Sequence, residues 1–268
     1  MIQPPNILTI AGSDSGGGAG IQADLKTILA LGGYGMSVIT ALTAQNGLGV
    51  TGIHAPEPEF AVRQLRAVLD GFPVAAAKTG MLFSAEIIAA LAEELSRCAF
   101  PLVVDPVSVS QSGSRLLRED AVAVMVERLV PLAALLTPNR PEAEMLAGMK
   151  VDTEADVAEA GRRMLDMGAR AVLIKGGHFD SAITITDWLC LPGEAPLPLR
   201  QAHVDSPNNH GTGCTLSAAI ATELGKGLPL LAAVRHGQAF VNRAMRGSYT
   251  PGKGCGPLNH AAGLTRTE

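Results

Sequence analysis

Short apolar runs alternate with amphipathic stretches along the whole chain, and this alternation limits the possible folds more than any other feature. Apolar runs of four to eight residues suit buried strands, and the amphipathic stretches between them suit helices that cover those strands. Chains with this pattern form a mainly parallel sheet with helices on both faces. We therefore predict an α/β fold, and the 47% of hydrophobic residues is ample for its core.

The alternation also gives approximate bounds for the elements. Strands are predicted at residues 7–11, 36–42, 74–78, 102–104, 135–137, 171–174, 183–191 and 197–204. Helices are predicted at residues 21–31, 60–69, 86–95, 120–129, 154–167, 215–224 and 230–245. Thr153 and Asp156 resemble a capping arrangement for the fifth helix, and Gly168 is placed to end it. The rhythm changes after Lys175, so we expect the last two strands to be antiparallel and to lie at the sheet edge.

Composition excludes several classes of protein. The net charge of -4 and a pI near 5.9 argue against a nucleic-acid binder, which needs clustered Lys and Arg. No apolar stretch is long enough to cross a membrane, and the N-terminus lacks the basic region of a signal peptide, so we expect a cytoplasmic protein. The four cysteines form no C-x-x-C pair, which indicates neither a disulfide framework nor a zinc site. No linker, charge block or repeat divides the sequence, so one domain over residues 1–268 is predicted.

Ligands of such sheets bind beyond the carboxyl ends of the strands, so the residues after each apolar run are the candidates for function. The first run leads into a glycine-rich loop at residues 12–20, which would let the backbone approach a ligand closely. Residues 18–23 satisfy a loose G-x-G-x-x-A pattern, but no acidic residue lies between positions 38 and 46 to bind a ribose. The chain also lacks a G-x-x-x-x-G-K-[ST] phosphate loop, so both standard nucleotide fingerprints fail.

Polar side chains follow several of the other runs, and each has a structural as well as a functional interpretation. Gln45 offers both an amide donor and an acceptor, which match the edge of an aminopyrimidine-like ring. Asp105 ends a buried strand, where a carboxylate orients a metal or a catalytic group, or caps a turn. Asn139 and Glu142 are three residues apart and suit either a helix start or the binding of nucleotide phosphates and magnesium. Lys175 is placed to reach a phosphate, or to extend from the sheet rim into solvent.

Two further candidates lie at predicted helix starts. Asp24 falls in the first turn of its helix, where the dipole stabilises a carboxylate whether or not it binds a ligand. The segment Gly211-Thr212-Gly213-Cys214 leads into an apolar helix, so its backbone N–H groups and the dipole could bind an anion and favour a thiolate at Cys214. Because these positions follow different strands that end at one edge, together they predict one phosphoryl-transfer centre.

Taken together, these motifs resemble those of the hydroxymethylpyrimidine/phosphomethylpyrimidine kinase family of the ribokinase superfamily. The matching segments are Ala11-Gly12-Ser13-Asp14, residues 16–26, Ala44-Gln45-Asn46, Lys78-Thr79-Gly80-Met81-Leu82, Val104-Asp105-Pro106-Val107, Thr137-Pro138-Asn139 with Glu142, Lys175-Gly176-Gly177-His178 and residues 210–215. They span most of the chain. The resemblance implies a ribokinase-like three-layer sandwich and a homodimer.

The resemblance also implies an activity and a division of labour. The activity is the ATP- and magnesium-dependent phosphorylation of 4-amino-5-hydroxymethyl-2-methylpyrimidine to its monophosphate and then to the diphosphate. Gly12, Asp24 and Gln45 would recognise the pyrimidine, and Met81 and Val107 would pack against its ring. Asn139, Glu142 and Lys175 would serve ATP, and Glu142 with the nearby Asp105 would serve magnesium. Residues 211–214 would form the anion hole, and we expect Cys214, acidified by the helix start, to accept the hydroxyl proton.

Alternatives remain open at this point. A pyridoxal or pyridoxine kinase of the same superfamily phosphorylates a hydroxymethyl group on a similar ring, and a pyrimidine-binding regulator without catalytic activity is an alternative of a different class. A dehydrogenase fits least, because its acidic ribose contact is missing. The sequence also departs from the family pattern at Asn209, where a Thr or Ser is typical, and at Lys253 in the C-terminal tail.

Overall fold

The computed structural model describes residues 3–108, 120–176 and 183–264. Within them the strands are β1 (Asn6–Asp14), β2 (Tyr34–Asn46), β3 (Gly49–His54), β4 (Val74–Thr79), β5 (Leu102–Val104), β6 (Leu135–Leu136), β7 (Val172–Ile174), β8 (Thr184–Cys190) and β9 (Leu197–Ala202). The helices are α1 (Gly20–Ala30), α2 (Pro58–Gly71), α3 (Ala85–Leu95), α4 (Ala121–Val124), α5 (Arg140–Ala147), α6 (Glu154–Asp166), α7 (Thr212–Gly225) and α8 (Leu230–Arg246).

These strands form one sheet in the order β3-β2-β1-β4-β5-β6-β7-β8-β9. The six central strands, β2, β1, β4, β5, β6 and β7, pair in parallel. At the two edges β3, β8 and β9 pair antiparallel. The predicted antiparallel pair after Lys175 is therefore confirmed. The chain leaves β1 toward β2 on one side and returns to β4 on the other, so the strand order reverses at β1. Such a reversal opens a crevice at the carboxyl ends of the strands.

Two apolar layers cover the sheet because successive side chains of a strand point to opposite faces. In β1, Leu8 and Ile10 pack into the layer formed with α2, α3, α5 and α6. Their neighbour Ile7 packs into the opposite layer, which α1, α7 and α8 form. β5 repeats this division, with Val104 in the first layer and Val103 in the second. The result is the predicted three-layer α/β arrangement.

The helix cap at Thr153 agrees with the prediction, whereas three other elements differ from it. The capping box between Thr153 and Asp156 is present at the start of α6, and Gly168 adopts a φ of 105° after its end. The helix predicted at residues 120–129 is α-helical only to Val124 and continues as a π-helical turn, Met125–Leu129. β3 and α5 are two further elements that the apolar pattern missed.

None of the helices in the described ranges is both long and apolar enough to span a membrane.

Candidate active site

A cavity of about 480 Å³ lies beyond the carboxyl ends of the parallel strands. Its volume falls in the range of small-molecule sites. The sequence-predicted residues that line it are Gly12, Gln45, Met81, Asp105, Val107, Asn139, Glu142, Lys175, Gly211, Thr212, Gly213 and Cys214. Thus twelve of the thirteen proposed site residues, all except Asp24, lie around one cavity.

The order of the strands separates these residues along the cavity. Gln45 belongs to β2, Gly12 to β1 and Met81 follows β4, whereas Asn139 follows β6 and Lys175 follows β7. β2 and β7 are five places apart in the sheet, which is about 24 Å at about 4.8 Å per strand. Gly12, Gln45 and Met81 therefore lie toward one end of the cavity, the ring end, and Asn139 and Lys175 lie toward the other, the charged end.

At the ring end the surface is close-packed. A Cβ at Gly12 would lie 3.0 Å from the sulfur of Met81, so a side chain at this position would displace the methionine. Gln45 adds its amide, whose Oε1 lies 3.0 Å from Thr43 Oγ1. Backbone, thioether and amide together form a surface that suits a flat ring with polar edges.

The anion hole is the start of α7, and it depends on a glycine. Gly211 has a φ of 86° and caps the helix, and a Cβ at this position would overlap the carbonyl oxygen of Gly18. Only glycine satisfies both requirements. α7 begins at Thr212 rather than at the predicted residue 215, so Gly213 and Cys214 lie in its first turn. Helix geometry leaves their N–H groups without acceptors inside the helix, and they can bind an anion.

The thiol of Cys214 differs from expectation. Burial raises the pKa of Cys214 to about 11, and the nearby Lys78 ammonium offsets this effect only in part. This direction is opposite to the predicted acidification of Cys214, because loss of water around the sulfur outweighs the neighbouring cation. Cys214 is a thiol at neutral pH in this structure.

Lys175 and Asp105 form an ion pair at the charged end. Lys175 Nζ donates to Asp105 Oδ1 at 2.9 Å, and the lysine side chain keeps 16% of its surface exposed. Burial alone would lower the pKa of Lys175, but the carboxylates of Asp105 and Glu142 raise it above its ordinary value. A Cβ at Gly213 would lie 3.4 Å from Lys175 Nζ, so the ammonium stands beside the anion hole. Gly177 and His178, the rest of the predicted motif, lie outside the described residues.

Asn139 and Glu142 form a capping box at the start of α5. Asn139 Oδ1 accepts from the Glu142 N–H, and Glu142 Oε2 accepts from the Asn139 N–H, each at 2.9 Å. Glu142 Oε1 accepts from the N–H of Ser108 at 3.3 Å. The helix-start interpretation is therefore correct, and both side chains still line the cavity. Burial raises the pKa of Glu142, Lys175 opposes this rise and Asp105 adds to it.

These carboxylates fit one kind of magnesium site. The described residues contain no group of three or more His, Cys, Asp or Glu side chains that could enclose a metal ion. Asp105 and Glu142 both line the cavity and lie close enough to influence each other's charge. Mg²⁺ is usually held by one or two carboxylates, with water and substrate phosphates as its other ligands. The pair suits that arrangement and does not form an all-protein cage.

Asp24 is the correction among the site residues. The resemblance implies that it recognises the ring, but its side chain is fully buried and does not line the cavity. Asp24 Oδ2 accepts from Lys78 Nζ at 3.1 Å and from Thr9 Oγ1 at 2.6 Å. A buried carboxylate needs a charged or hydrogen-bonding partner, and Lys78 on the neighbouring strand provides one. Asp24 therefore faces the interior of the protein beneath the cavity.

Two titratable residues that line the cavity received no role from sequence reasoning. Asp14 ends β1, and His210 stands immediately before the anion hole. His210 Nε2 lies 2.9 Å from Asp14 Oδ2 although the two residues are 196 positions apart. Both belong to matching motifs, so the signal was a polar residue beside each glycine-rich segment.

Comparison with known proteins gives a consistent result. A family model described as phosphomethylpyrimidine kinase matches residues 14–259. The hydroxymethylpyrimidine/phosphomethylpyrimidine kinase of Streptomyces coelicolor is 46% identical over 265 residues, which cover 98% of this chain and 97% of the relative. The thiamine biosynthesis bifunctional protein ThiED of Geobacter sulfurreducens is 49% identical over 256 residues, which cover 95% of this chain. The chain spans only 52% of that larger protein.

A solved structure extends the comparison to the fold. Pyridoxal kinase from Staphylococcus aureus, in complex with AMP-PCP and pyridoxal, superposes with a TM-score of 0.87 at 34% sequence identity. The match covers 99% of this chain and 96% of that one. The predicted ribokinase-like fold is thus confirmed. With the family model matching nearly the whole sequence, the chain belongs to the phosphomethylpyrimidine kinase family.

Proposed function

We propose that this protein transfers the γ-phosphoryl group of ATP to the hydroxyl of 4-amino-5-hydroxymethyl-2-methylpyrimidine, and then phosphorylates the monophosphate to the diphosphate, as a step in thiamine biosynthesis. The observation that carries this proposal is the single cavity that joins an amide-lined ring end to an anion hole and a lysine. Family membership and the 46% identity to a kinase of that name over nearly its full length support it. The AMP-PCP in the similar pyridoxal kinase, a methylene analogue of ATP, supports ATP as the donor.

The residues divide the work according to their position. Gly12, Gln45, Met81 and Val107 hold the ring, so that its hydroxymethyl group points toward the start of α7. The backbone N–H groups of Gly213 and Cys214 stabilise the charge on the transferred phosphoryl group. Such positioning and charge stabilisation supply most of the catalysis in phosphoryl transfer, because the reaction requires little covalent work from the protein.

Lys175 adds a second source of positive charge at the anion hole, and Asp105 holds the lysine in place. Asn139 borders the nucleotide end, and Glu142 with Asp105 would hold Mg²⁺ through water. When bound, ATP supplies the phosphoryl group and Mg²⁺ neutralises part of the phosphate charge.

The proton of the attacking hydroxyl group needs an acceptor. Cys214 lines the cavity in the first turn of α7, and we assign this step to its sulfur. Because the pKa of Cys214 is about 11, only a small fraction is thiolate at neutral pH. In this step the hydroxyl oxygen forms a bond to the γ-phosphorus of ATP, and the bond between that phosphorus and the β–γ bridging oxygen breaks. ADP leaves, and the hydroxyl proton moves to the thiolate.

A coupled assay tests this function. ADP release is measured with the pyrimidine alcohol, its monophosphate and pyridoxal at matched concentrations, and ³¹P NMR identifies the products. We expect turnover of both pyrimidines with diphosphate as the final product. Turnover of pyridoxal without turnover of the pyrimidine would replace the proposal with the alternative that the 34% identical pyridoxal kinase favours. Binding of the pyrimidine without ADP release from any substrate would indicate a regulator.

Three broader properties stay proposals. We propose that the chain acts as one domain, because its strands form one continuous sheet within the described residues. We also propose a homodimer, from the family resemblance, and a cytoplasmic location, from the cysteine pattern of the sequence. Light scattering during size-exclusion chromatography tests the dimer, and cell fractionation tests the location.

A further inference from the structure

Four polar side chains form a chain of contacts along the ring end of the cavity. His210 Nε2 lies 2.9 Å from Asp14 Oδ2 and 3.3 Å from Gln45 Nε2. On its other side the Gln45 amide meets Thr43, whose Oγ1 lies 3.0 Å from Gln45 Oε1. All four side chains line the cavity. One imidazole nitrogen therefore stands between a carboxylate and an amide, and it cannot be a donor to one and an acceptor from the other.

The carboxylate decides the role of this nitrogen. Asp14 Oδ2 accepts from the N–H groups of Gly18 at 3.0 Å and Ala19 at 2.9 Å, and Oδ1 accepts from the N–H of Gly16 at 2.8 Å. Burial by itself would raise the pKa of Asp14, but the hydrogen bond from His210 and those from the amides lower it below its ordinary value. Asp14 is therefore an ionised acceptor, and His210 Nε2 must carry a hydrogen and donate it.

The imidazole has little freedom to choose another arrangement. A Cβ at Gly18 would overlap His210 Cδ2, so the Cδ2–Nε2 edge of the ring lies close against the glycine loop. The backbone N–H of His210 donates to the carbonyl oxygen of Gly256 at 3.2 Å, which fixes the backbone next to the anion hole. Its side chain is only 13% exposed. Packing and the carboxylate thus hold Nε2–H in a set direction.

A protonated Nε2 constrains the neighbouring amide. The Gln45 atom that faces His210 must be an acceptor, because two N–H groups at 3.3 Å would repel each other. Thr43 Oγ1 donates to the carbonyl oxygen of Ser13 at 2.9 Å, so it can accept from an N–H of Gln45. Carbonyl and amino groups of an amide have nearly the same shape, and the surrounding hydrogen bonds determine which is which. Every donor then has an acceptor when the amide oxygen faces His210.

We infer that Asp14 and His210 are positioning residues that hold the Gln45 amide with its oxygen toward His210 and its nitrogen toward Thr43, and that this fixed amide selects the substrate ring. A fixed amide presents an acceptor beside a donor in one order only. A 4-aminopyrimidine edge offers the complement, because its exocyclic NH₂ donates and its neighbouring ring nitrogen accepts. The 4-oxo analogue reverses this order, since its oxygen accepts and its ring N–H donates. The selection rests on the proposed function, whereas the amide orientation does not.

NMR of the unmodified protein tests the orientation without any assay. Two-bond ¹H–¹⁵N correlation of ¹⁵N-histidine-labelled protein, recorded near pH 8, distinguishes protonated from bare ring nitrogens. His210→Gln identifies the His210 signals among the six histidines. We expect Nε2 of His210 to carry the hydrogen. A bare Nε2 would overturn the inference, whatever the protein phosphorylates.

Kinetics tests the consequence for specificity. The measured quantity is the ratio of kcat/KM for the 4-aminopyrimidine alcohol to that for its 4-oxo analogue. In His210→Phe the amide is free to turn over and match the analogue, so we expect this ratio to fall about tenfold, the value of about one hydrogen bond. His210→Gln keeps an N–H near the position of Nε2 and should retain most of the ratio.

The controls separate positioning from stability. A purely structural role for His210 would lower kcat/KM for both substrates equally and leave the ratio unchanged, and that result overturns the selection. Valine has almost the same shape as threonine, so Thr43→Val removes only the hydroxyl group that accepts from the Gln45 NH₂. It should lower the ratio in the same direction, and it replaces His210→Phe if that variant does not fold. If the wild-type protein phosphorylates neither pyrimidine, the proposed function fails while the NMR result still stands.

Discussion

Two lysine–carboxylate pairs stand at the carboxyl ends of parallel strands, and they differ in their access to the cavity. Lys78 of β4 pairs with Asp24 at 3.1 Å, and both side chains are fully buried. Lys175, just after β7, pairs with Asp105 at 2.9 Å and lines the cavity. The same pair of chemical groups is thus enclosed at one strand end and open to a ligand at the other.

The difference teaches that a charged residue at a strand end is not by itself a binding residue. The enclosed pair can act on a ligand only through other groups, and its nearest route is Cys214, whose pKa Lys78 lowers more than any other neighbour does. The open pair can donate directly to a phosphate. We therefore expect loss of the enclosed lysine to affect stability first, and loss of the open lysine to affect turnover first.

The largest effect is expected for Lys78→Met. The substitution removes the cation opposite a buried carboxylate, which typically destabilises a protein by about 3–5 kcal/mol. Asp24 Oδ1 has no hydrogen-bond donor among the described residues, so little else can stabilise that charge. Urea unfolding measures the loss. A loss below about 1 kcal/mol would show that the pair is not an interacting unit.

The pH dependence of the same variant sharpens this test. Burial raises the pKa of Asp24 above its ordinary value of 3.8, and Lys78 is the strongest opposing influence. Without Lys78 the pKa rises further, so folding takes up a proton and stability falls as the pH increases through the new pKa. The deficit of Lys78→Met should therefore shrink toward pH 4 and grow toward pH 8. The double variant Asp24→Asn with Lys78→Met removes both charges of this pair and should recover most of the loss at pH 8.

Lys175→Met is the matched change at the open pair. We expect its turnover to fall about 100- to 1000-fold, the effect of removing one strong donor from a site of developing negative charge. The unfolding free energy should fall less than in Lys78→Met, because Asp105 keeps donors from Thr137 and Ser217 and can reach cavity water. Steady-state ADP release and urea unfolding of both variants give the comparison. Equal losses of stability would contradict the assigned difference.

The sequence predicts the open pair better than the enclosed one. Lys175 and Asp105 each end an apolar run, and parallel strands bring such ends to one edge of the sheet. Asp24 carries a different signal, because the sequence predicts a carboxylate in the first turn of its helix, whereas α1 begins at Gly20 and has no acidic residue in its first turn. The Asp24 side chain bonds to Lys78, which lies 54 residues away in the sequence and is predicted only as part of a strand. Side-chain direction depends on that distant partner, so local pattern could not reveal it.

The fold follows the same rule. The short apolar strands and the amphipathic helices were predictable, because both patterns are local properties of the sequence. β3 was missed because none of its residues Gly49–His54 is buried and two of them are glycines. The π-helical turn Met125–Leu129 was missed because an apolar pattern does not distinguish it from the α-helix before it. Contacts such as that between Asp14 and His210, 196 positions apart, depend on the whole topology.

The last prediction concerns Cys214, whose pKa responds to charges of both pairs. Only the thiolate reacts with iodoacetamide, and burial raises the pKa of Cys214 to about 11. Its alkylation rate should therefore increase about tenfold per pH unit from pH 7 to pH 10 without a plateau, a change of about 1.4 kcal/mol per unit. Mass spectrometry of the Cys214 peptide resolves this site from the other three cysteines, and Cys214→Ala identifies the peptide. A plateau below pH 8 would mean that Lys78 and the start of α7 outweigh burial, which would restore the acidic thiol that the sequence suggested.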